Sequence, residues 1–284
     1  MSNLSIKEMI NAGVHFGHQS KYWNPKMRPY IYTTYKKLHI INLEKSIIYF
    51  NEATAYIEKL SKNNAKILFV GTKRAARDII EKYAKDAKMP YVNNRWLGGM
   101  LTNFDTIKKS IAKLETLKRT LDLATLNGLT KKESLNIKKQ IIKLEKNLSG
   151  IKDLEKAPDA LFVIDTRYEK IAIQEANKLN IPVIAVVDSN NSFDGVDYMI
   201  PGNDDSMSSI ELFVKEISNI IKITKSKFIK PVSNTANSGD PKQKSLKKKQ
   251  VIDVESKTVK KNISLNKKTS EVKEPVDNSP DKEA

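Results

Sequence analysis

The sequence predicts an α/β fold: a doubly wound, flavodoxin-like parallel-sheet sandwich with an inserted helical coiled-coil hairpin and a disordered C-terminal tail. Three observations predict it. Short, continuously apolar runs at 67–70, 160–164 and 182–187 alternate with amphipathic helical patterns. Strands buried on both faces of a parallel sheet read this way. Between two of these runs, apolar residues recur at spacings of four and three over two successive segments, the pattern of a coiled-coil seam. From Pro231 onward there is no aromatic residue and no apolar period.

Each element follows in order. Ser5 and Glu8 fit a capping box at the start of a short helix, and Gly13 fits the position just past its end. Residues 15–40 are rich in aromatics, Pro and Lys and lack a helical period. They predict an irregular arm with a hairpin around Pro29–Leu38, so 1–42 is a helix plus a basic, aromatic arm. Helical spacing returns at 43–60, with Leu43, Ile47, Phe50, Ala53, Ile57 and Leu60 on one face. The strand at 67–70 ends in Gly71 and precedes a helix over 74–88. A short strand follows at 90–92. The strand at 160–164 ends at Asp165 and precedes a helix over 169–179. A strand at 182–187 ends at Asp188, and another spans 198–200. The last helix begins near Ser206 and is expected to bury Met207, Ile210, Phe213, Ile217 and Ile220. The sandwich domain therefore takes 43–104 and 157–230.

The insert occupies 105–156. Ile107, Ile111, Leu114, Leu117, Leu121 and Ala124 form one stripe, and Ile137, Ile141, Leu144, Leu148 and Ile151 form the other. Asn127-Gly128 marks the turn, and Thr130 with Glu133 is a second capping box. Each arm of about 20 residues would reach about 30 Å. The insert carries 13 basic and 7 acidic residues. It reads either as a prong that grips an acidic partner or as a solvated coiled coil kept soluble by its lysines.

Charge narrows the function. The 284 residues carry 50 Lys+Arg against 33 Asp+Glu, a net charge of +17. Such an excess favours a polyanion, either nucleic acid or an anionic membrane surface. The prong has no aromatic apolar face to insert, which argues against a membrane. The tail, 231–284, holds +4 of the excess and includes the run Lys247, Lys248, Lys249. It cannot bury enough apolar surface to offset the entropy of ordering. There is no cysteine, so disulfides, thiolate zinc sites and Cys nucleophiles are excluded. No apolar run reaches the length of a spanning helix. The opening MSNLSIKEMINAG does not read as a secretory signal, and a cytoplasmic protein is the expectation. Only six basic residues are arginines: Arg28, Arg74, Arg77, Arg95, Arg119 and Arg167. Lysine neutralises phosphate as a point charge and reads bases poorly, so backbone and shape recognition are favoured.

Candidate sites are few. FVGTKR (69–74) has no G-x-x-x-x-G-K-[ST] spacing, and one glycine cannot build a diphosphate nest. Lys73 and Arg74 could still meet a single phosphate at a helix start. Asp165, Asp188, Asp204 and Asp205 fall after strands, and with His15, His18 or His39 they could form an oxygen-rich or mixed metal site. The competing reading makes them helix caps and turn residues. No G-x-S-x-G nucleophile elbow is present. YWNPKMRPYIY (22–32) interleaves aromatics with Lys26 and Arg28, beside Lys21. This mixture suits either base stacking with phosphate neutralisation or pinning of the arm to the core. NNRWLGGMLTNF (93–104) holds the paired glycines of a tight turn, with Trp96 and Leu97 folding inward and Thr102 or Asn103 as a helix cap. Arg95 reads as a phosphate contact or, more favoured, as a structural clamp.

Several long motifs resemble one known family. GVHFGHQSKYWNPKMRPYIY (13–32), LFVGTK (68–73), RWLGGMLTNF (95–104), PDALFVIDTRYEKIAIQEANKLNIPVIAVVDSN (158–190) and YMIPGNDD (198–205) look like the bacterial form of small-subunit ribosomal protein S-two. The likeness covers roughly 3–225 and does not extend to the tail. The resemblance implies a parallel α/β sandwich with a coiled-coil insert, no catalytic activity and no cofactor. It implies binding to small-subunit ribosomal RNA beside neighbouring proteins, including the large mRNA-binding protein S-one. By the same resemblance, RNA contacts would come from Lys21, Lys26, Arg28, Lys36, Lys37, Lys73, Arg74, Arg95, Lys108 and Lys109.

Overall fold

The computed structural model describes residues 4–122 and 130–228. The predicted Asn127-Gly128 turn and the tail from 231 lie outside the described residues.

Helix α1 (Ile6–Asn11) starts at the Ser5 capping box, with both reciprocal hydrogen bonds formed. The arm is more regular than its composition predicts. Strands β1 (Phe16–Gln19), β2 (Ile31–Tyr35) and β3 (Leu38–Ile41) make a small antiparallel sheet in the order β1-β3-β2. The expected hairpin is β2 and β3, turned at Lys36 and Lys37 with positive φ at both. Strand β1 escapes a period-2 reading because its register with β3 shifts between Phe16 and Gln19. A 3₁₀ turn, Pro25–Tyr30, links β1 to β2 and buries Met27.

Helix α2 (Leu43–Lys62) is capped by the Asn42 side chain, which accepts from the amides of Glu44 and Lys45. The main sheet contains β4 (Ile67–Val70), β5 (Tyr91–Val92), β6 (Ala160–Ile164), β7 (Val183–Val187) and β8 (Tyr198–Pro201). All neighbours are parallel, in the order β5-β4-β6-β7-β8. Val70 sits opposite Val92 on one side and Val163 on the other, while Ile164 pairs with Val186.

The period of two divides the core. Ile67, Phe69, Phe162, Ile164, Ile184 and Val186 face α2, α3 (Arg77–Ala87) and α7 (Met207–Phe228). Leu68, Val70, Leu161, Val163, Ala185 and Val187 face α6 (Lys170–Lys178) and the lower turns of α4 (Phe104–Asp122) and α5 (Lys131–Leu148). Covering both faces is what allows the strands to be continuously apolar.

Two expectations shift. Helix α3 begins at Arg77 rather than 74, because residues 73–76 form a turn closed by the Ala76 amide on the Lys73 carbonyl. Met207 opens α7 at the surface, 58 % exposed, and Ile221 is buried where Ile220 was expected, Ile220 being half-buried. Among the described residues no helix is long and apolar enough to cross a membrane.

Candidate nucleic-acid interface and strand-end cluster

The arm lies over the C-terminal ends of the strands. The His18 amide donates to the Ser189 hydroxyl at 2.8 Å, and the Asn24 amide donates to the Ser189 carbonyl at 2.8 Å. Lys26 is ion-paired with Asp194 at 2.7 Å. The arm is therefore pinned, and its outer face is left free to present cations and rings. Tyr22, Tyr32 and Tyr35 are exposed. The Lys21 ammonium lies 5.6 Å from the Tyr22 ring centroid and Lys36 lies 5.3 Å from that of Tyr35. Arg28, Lys36 and Lys37 are exposed.

The strand-end carboxylates do gather. His18 bridges two of them, with Nδ1 3.0 Å from Asp188 and Nε2 3.0 Å from Asp205. Lys73 reaches into the same group, 2.7 Å from Asp204 and 3.1 Å from Asp165, and also pairs with Asp205. The Asn191 amide nitrogen donates to Asp165 at 3.1 Å and to Asp204 at 2.6 Å. Lys73 thus neutralises carboxylates, whereas Arg74 beside it is exposed.

Charge regulation in the cluster follows from burial. Burial pushes the Asp204 carboxyl up to about 8, with Asp188 and Asp165 adding repulsion and Lys73 opposing it. The hydrogen bond to Asp188 raises the His18 imidazole above its usual value, against a smaller cost of burial. Burial works against the Lys73 charge, but the surrounding carboxylates outweigh it and hold the ammonium above its usual value. His18, Asp188, Asp204 and Asp205 each offer one ligand atom, all within 4.8 Å of one another. One imidazole and three carboxylates could hold a divalent cation of the zinc type.

Asp165 stands apart from that ligand group. Its Oδ1 accepts from the amides of Arg167 and Tyr168, so the turn reading describes that oxygen. His15 and His39 also stay outside. Burial lowers both, and His39 Nδ1 sits 3.0 Å from the Thr34 hydroxyl.

Gly71 serves packing. A Cβ there would come within 2.9 Å of Ile80 and 3.1 Å of Ala76, so the glycine lets α3 approach β4. This fits the absence of a phosphate nest.

The RWLGG segment is organised by a residue that the sequence patterns do not single out. The Glu175 carboxylate, on α6, accepts from Trp96 Nε1 at 3.2 Å, the Gly99 amide at 2.7 Å and the Leu101 amide at 3.0 Å. The Thr102 amide and hydroxyl complete the set. Gly99 takes φ +83°, which turns the loop around the carboxylate. Burial opposes the charge of Glu175, yet the donors, led by Leu101 and Gly99, hold its carboxyl below the usual range. The clamp is therefore Glu175. Arg95 is exposed and holds no partner among the described residues. Sequence offered one weak signal for Glu175: an acidic residue on the apolar face of the helix over 169–179.

Helices α4 and α5 pack on each other. Ile107 and Leu114 are buried on one, Ile141 and Leu148 on the other. Lys118 pairs with Glu145 across them. The Thr130–Glu133 capping box forms as expected. Lys108 and Lys109 are exposed, and Lys108 lies 5.0 Å from the Phe104 ring centroid.

Compared with known protein families, the chain matches the family model of ribosomal protein S2 over residues 9–223.

Proposed function

Because the chain belongs to the ribosomal protein S2 family, we propose that it binds small-subunit ribosomal RNA chiefly through the phosphate backbone. Membership makes it a structural protein of the small ribosomal subunit with a role in translation, and not an enzyme. The observation that carries the RNA reading is the pairing of exposed cations with rings. Lys21 with Tyr22 and Lys36 with Tyr35 each set a phosphate-neutralising charge beside an exposed stacking surface, and Lys108 adds exposed charge at the foot of α4. Arg28, Lys37, Arg74, Arg95 and Lys109 add exposed positive charge. Lys26 and Lys73 act through their carboxylate pairs, holding the arm and the cluster in place.

The strand order supports a flavodoxin-like winding. The seven-residue steps from Ile107 to Leu114 and from Ile141 to Leu148 support a coiled-coil insert. We place the protein in the cytoplasm, with protein S-one among its neighbours. Sedimentation of the tagged full chain in a sucrose gradient tests the assignment. It should co-migrate with small subunits, and a chain that always runs free would defeat the proposal.

A further inference from the structure

Arginine is scarce in this chain, with six residues against forty-four lysines. Two of the six, Arg77 and Arg95, line a single cavity of about 460 Å³. Thr72, Trp96, Tyr168 and Glu169 contribute to the same lining. The place is notable in the topology. Thr72 follows β4 and Glu169 follows β6, adjacent strands at which the connection reverses direction along the sheet. Loops leaving such a pair diverge and open a crevice at the strand ends.

Part of the lining is held in place by hydrogen bonds. Arg77 Nε donates to the Thr72 carbonyl at 2.8 Å, which fixes the guanidinium and leaves its other N–H groups available. Arg95 holds no partner among the described residues. Trp96 is anchored from behind by Glu175. Glu169 is buried and its carboxylate accepts from the Thr72 amide at 2.7 Å and hydroxyl at 2.6 Å. Burial raises the Glu169 carboxyl, which softens its repulsion of an anion. At the rim, Tyr168 is 59 % exposed on a turn pinned by Asp165. The ring is displayed to solvent at the mouth of a cavity that both guanidinium groups also line.

Guanidinium forks match phosphate oxygens, and an exposed phenol ring offers a face to a base. Without a backbone nest the crevice suits one phosphate and not a diphosphate. We propose that this crevice receives one unstacked nucleotide of single-stranded RNA, its base on Tyr168 and its phosphate between Arg77 and Arg95. The inference rests on the RNA-binding reading above and adds a single-strand contact to it.

Fluorescence anisotropy of the full chain with a labelled uridine oligomer tests it, with a fully paired RNA hairpin as reference and uridine monophosphate as competitor. Tyr168→Ala should weaken oligomer binding about tenfold and leave hairpin binding unchanged. Tyr168→Phe keeps the ring and should restore the oligomer affinity. Arg95→Ala should weaken the oligomer by a similar factor, and Arg95→Lys should recover only part of it. Oligomer binding unchanged by both alanine substitutions would overturn the inference. So would displacement by the free mononucleotide as effectively as by unlabelled oligomer, which would mark a nucleotide pocket. A wild-type chain that binds the hairpin but not the oligomer defeats this inference alone. One that binds neither defeats the RNA reading with it.

Discussion

The Glu175 carboxylate accepts from Trp96, Gly99, Leu101 and Thr102, so its removal leaves the buried donors of Trp96 and Leu101, and two half-buried ones, without an acceptor. Glu175→Ala should cost about 3 kcal/mol, a fall of about 6–12 °C in the thermal midpoint. A midpoint within about 2 °C of wild type would mean the loop finds other acceptors. The strand-end cluster makes a second residue-scale prediction. His18 and Asp204 both bind a proton more tightly in the fold than in the unfolded chain, whose values are 6.5 and 3.8. Their contributions are fully present below those unfolded values and fade as pH rises through the folded ones. The Asp204 share is therefore lost between about 4 and about 8. A divalent cation bound there would displace those protons, so any stabilisation by zinc should grow from pH 6 to pH 8 and vanish in Asp204→Asn. Thermal unfolding with zinc or with a chelator measures this, and identical curves would rule out a cation there. The gathering of Asp188, Asp204 and Asp205 was legible, because strand ends of a parallel sheet share one edge. That His18 rather than His15 or His39 joins them was not legible, nor was the part played by Lys73. His18 and Lys73 meet the carboxylates through contacts distant in sequence, which no local period records.

At the scale of elements, the hairpin shows the division most clearly. Spacings of three and four put Ile107 and Leu114 on one stripe and Ile141 and Leu148 on another, and all four are buried. Its lysines stay on the outside. Reversing charge at Lys108, Lys109, Lys138 and Lys139 should weaken RNA binding and make log K fall less steeply with log salt, by about 0.9 for each phosphate no longer neutralised. An unchanged slope would leave the hairpin a solvated pair of helices. Leu114, buried between the helices, tests the seam. Leu114→Ala should reduce helicity of the hairpin, read by hydrogen exchange on α4 and α5, while protection of β6 stays as it was. The arm was less legible. Its hairpin followed from the spacing, but β1 did not, because the irregular register against β3 breaks the alternation that betrays a strand. Helix α3 begins three residues late for a related reason: residues 73–76 turn while Lys73 reaches the carboxylates.

At the largest scale, the described residues are organised by a sheet that is covered on both faces. Phe162 lies at the centre of β6, fully buried and in edge contact with Phe69 at 5.4 Å between centroids. Phe162→Ala should destabilise the described fold by about 3–5 kcal/mol in one cooperative transition, followed by chemical denaturation. A change below about 1 kcal/mol would mean the two core layers relax independently. Sequence by itself determined the class of fold, because alternating apolar runs and amphipathic helices rest on local periodicity. It also carried the family motifs that the match over residues 9–223 bears out. Tertiary structure alone decided which charges meet a carboxylate. It closed Lys26 and Lys73 onto carboxylates, gave the clamp to Glu175 and left Arg95 open beside Tyr168. The physical reason is that an ion pair or a crevice depends on distances between residues far apart in the chain. Periodicity fixes the face on which a residue lies, and only the packing of elements fixes what it meets there.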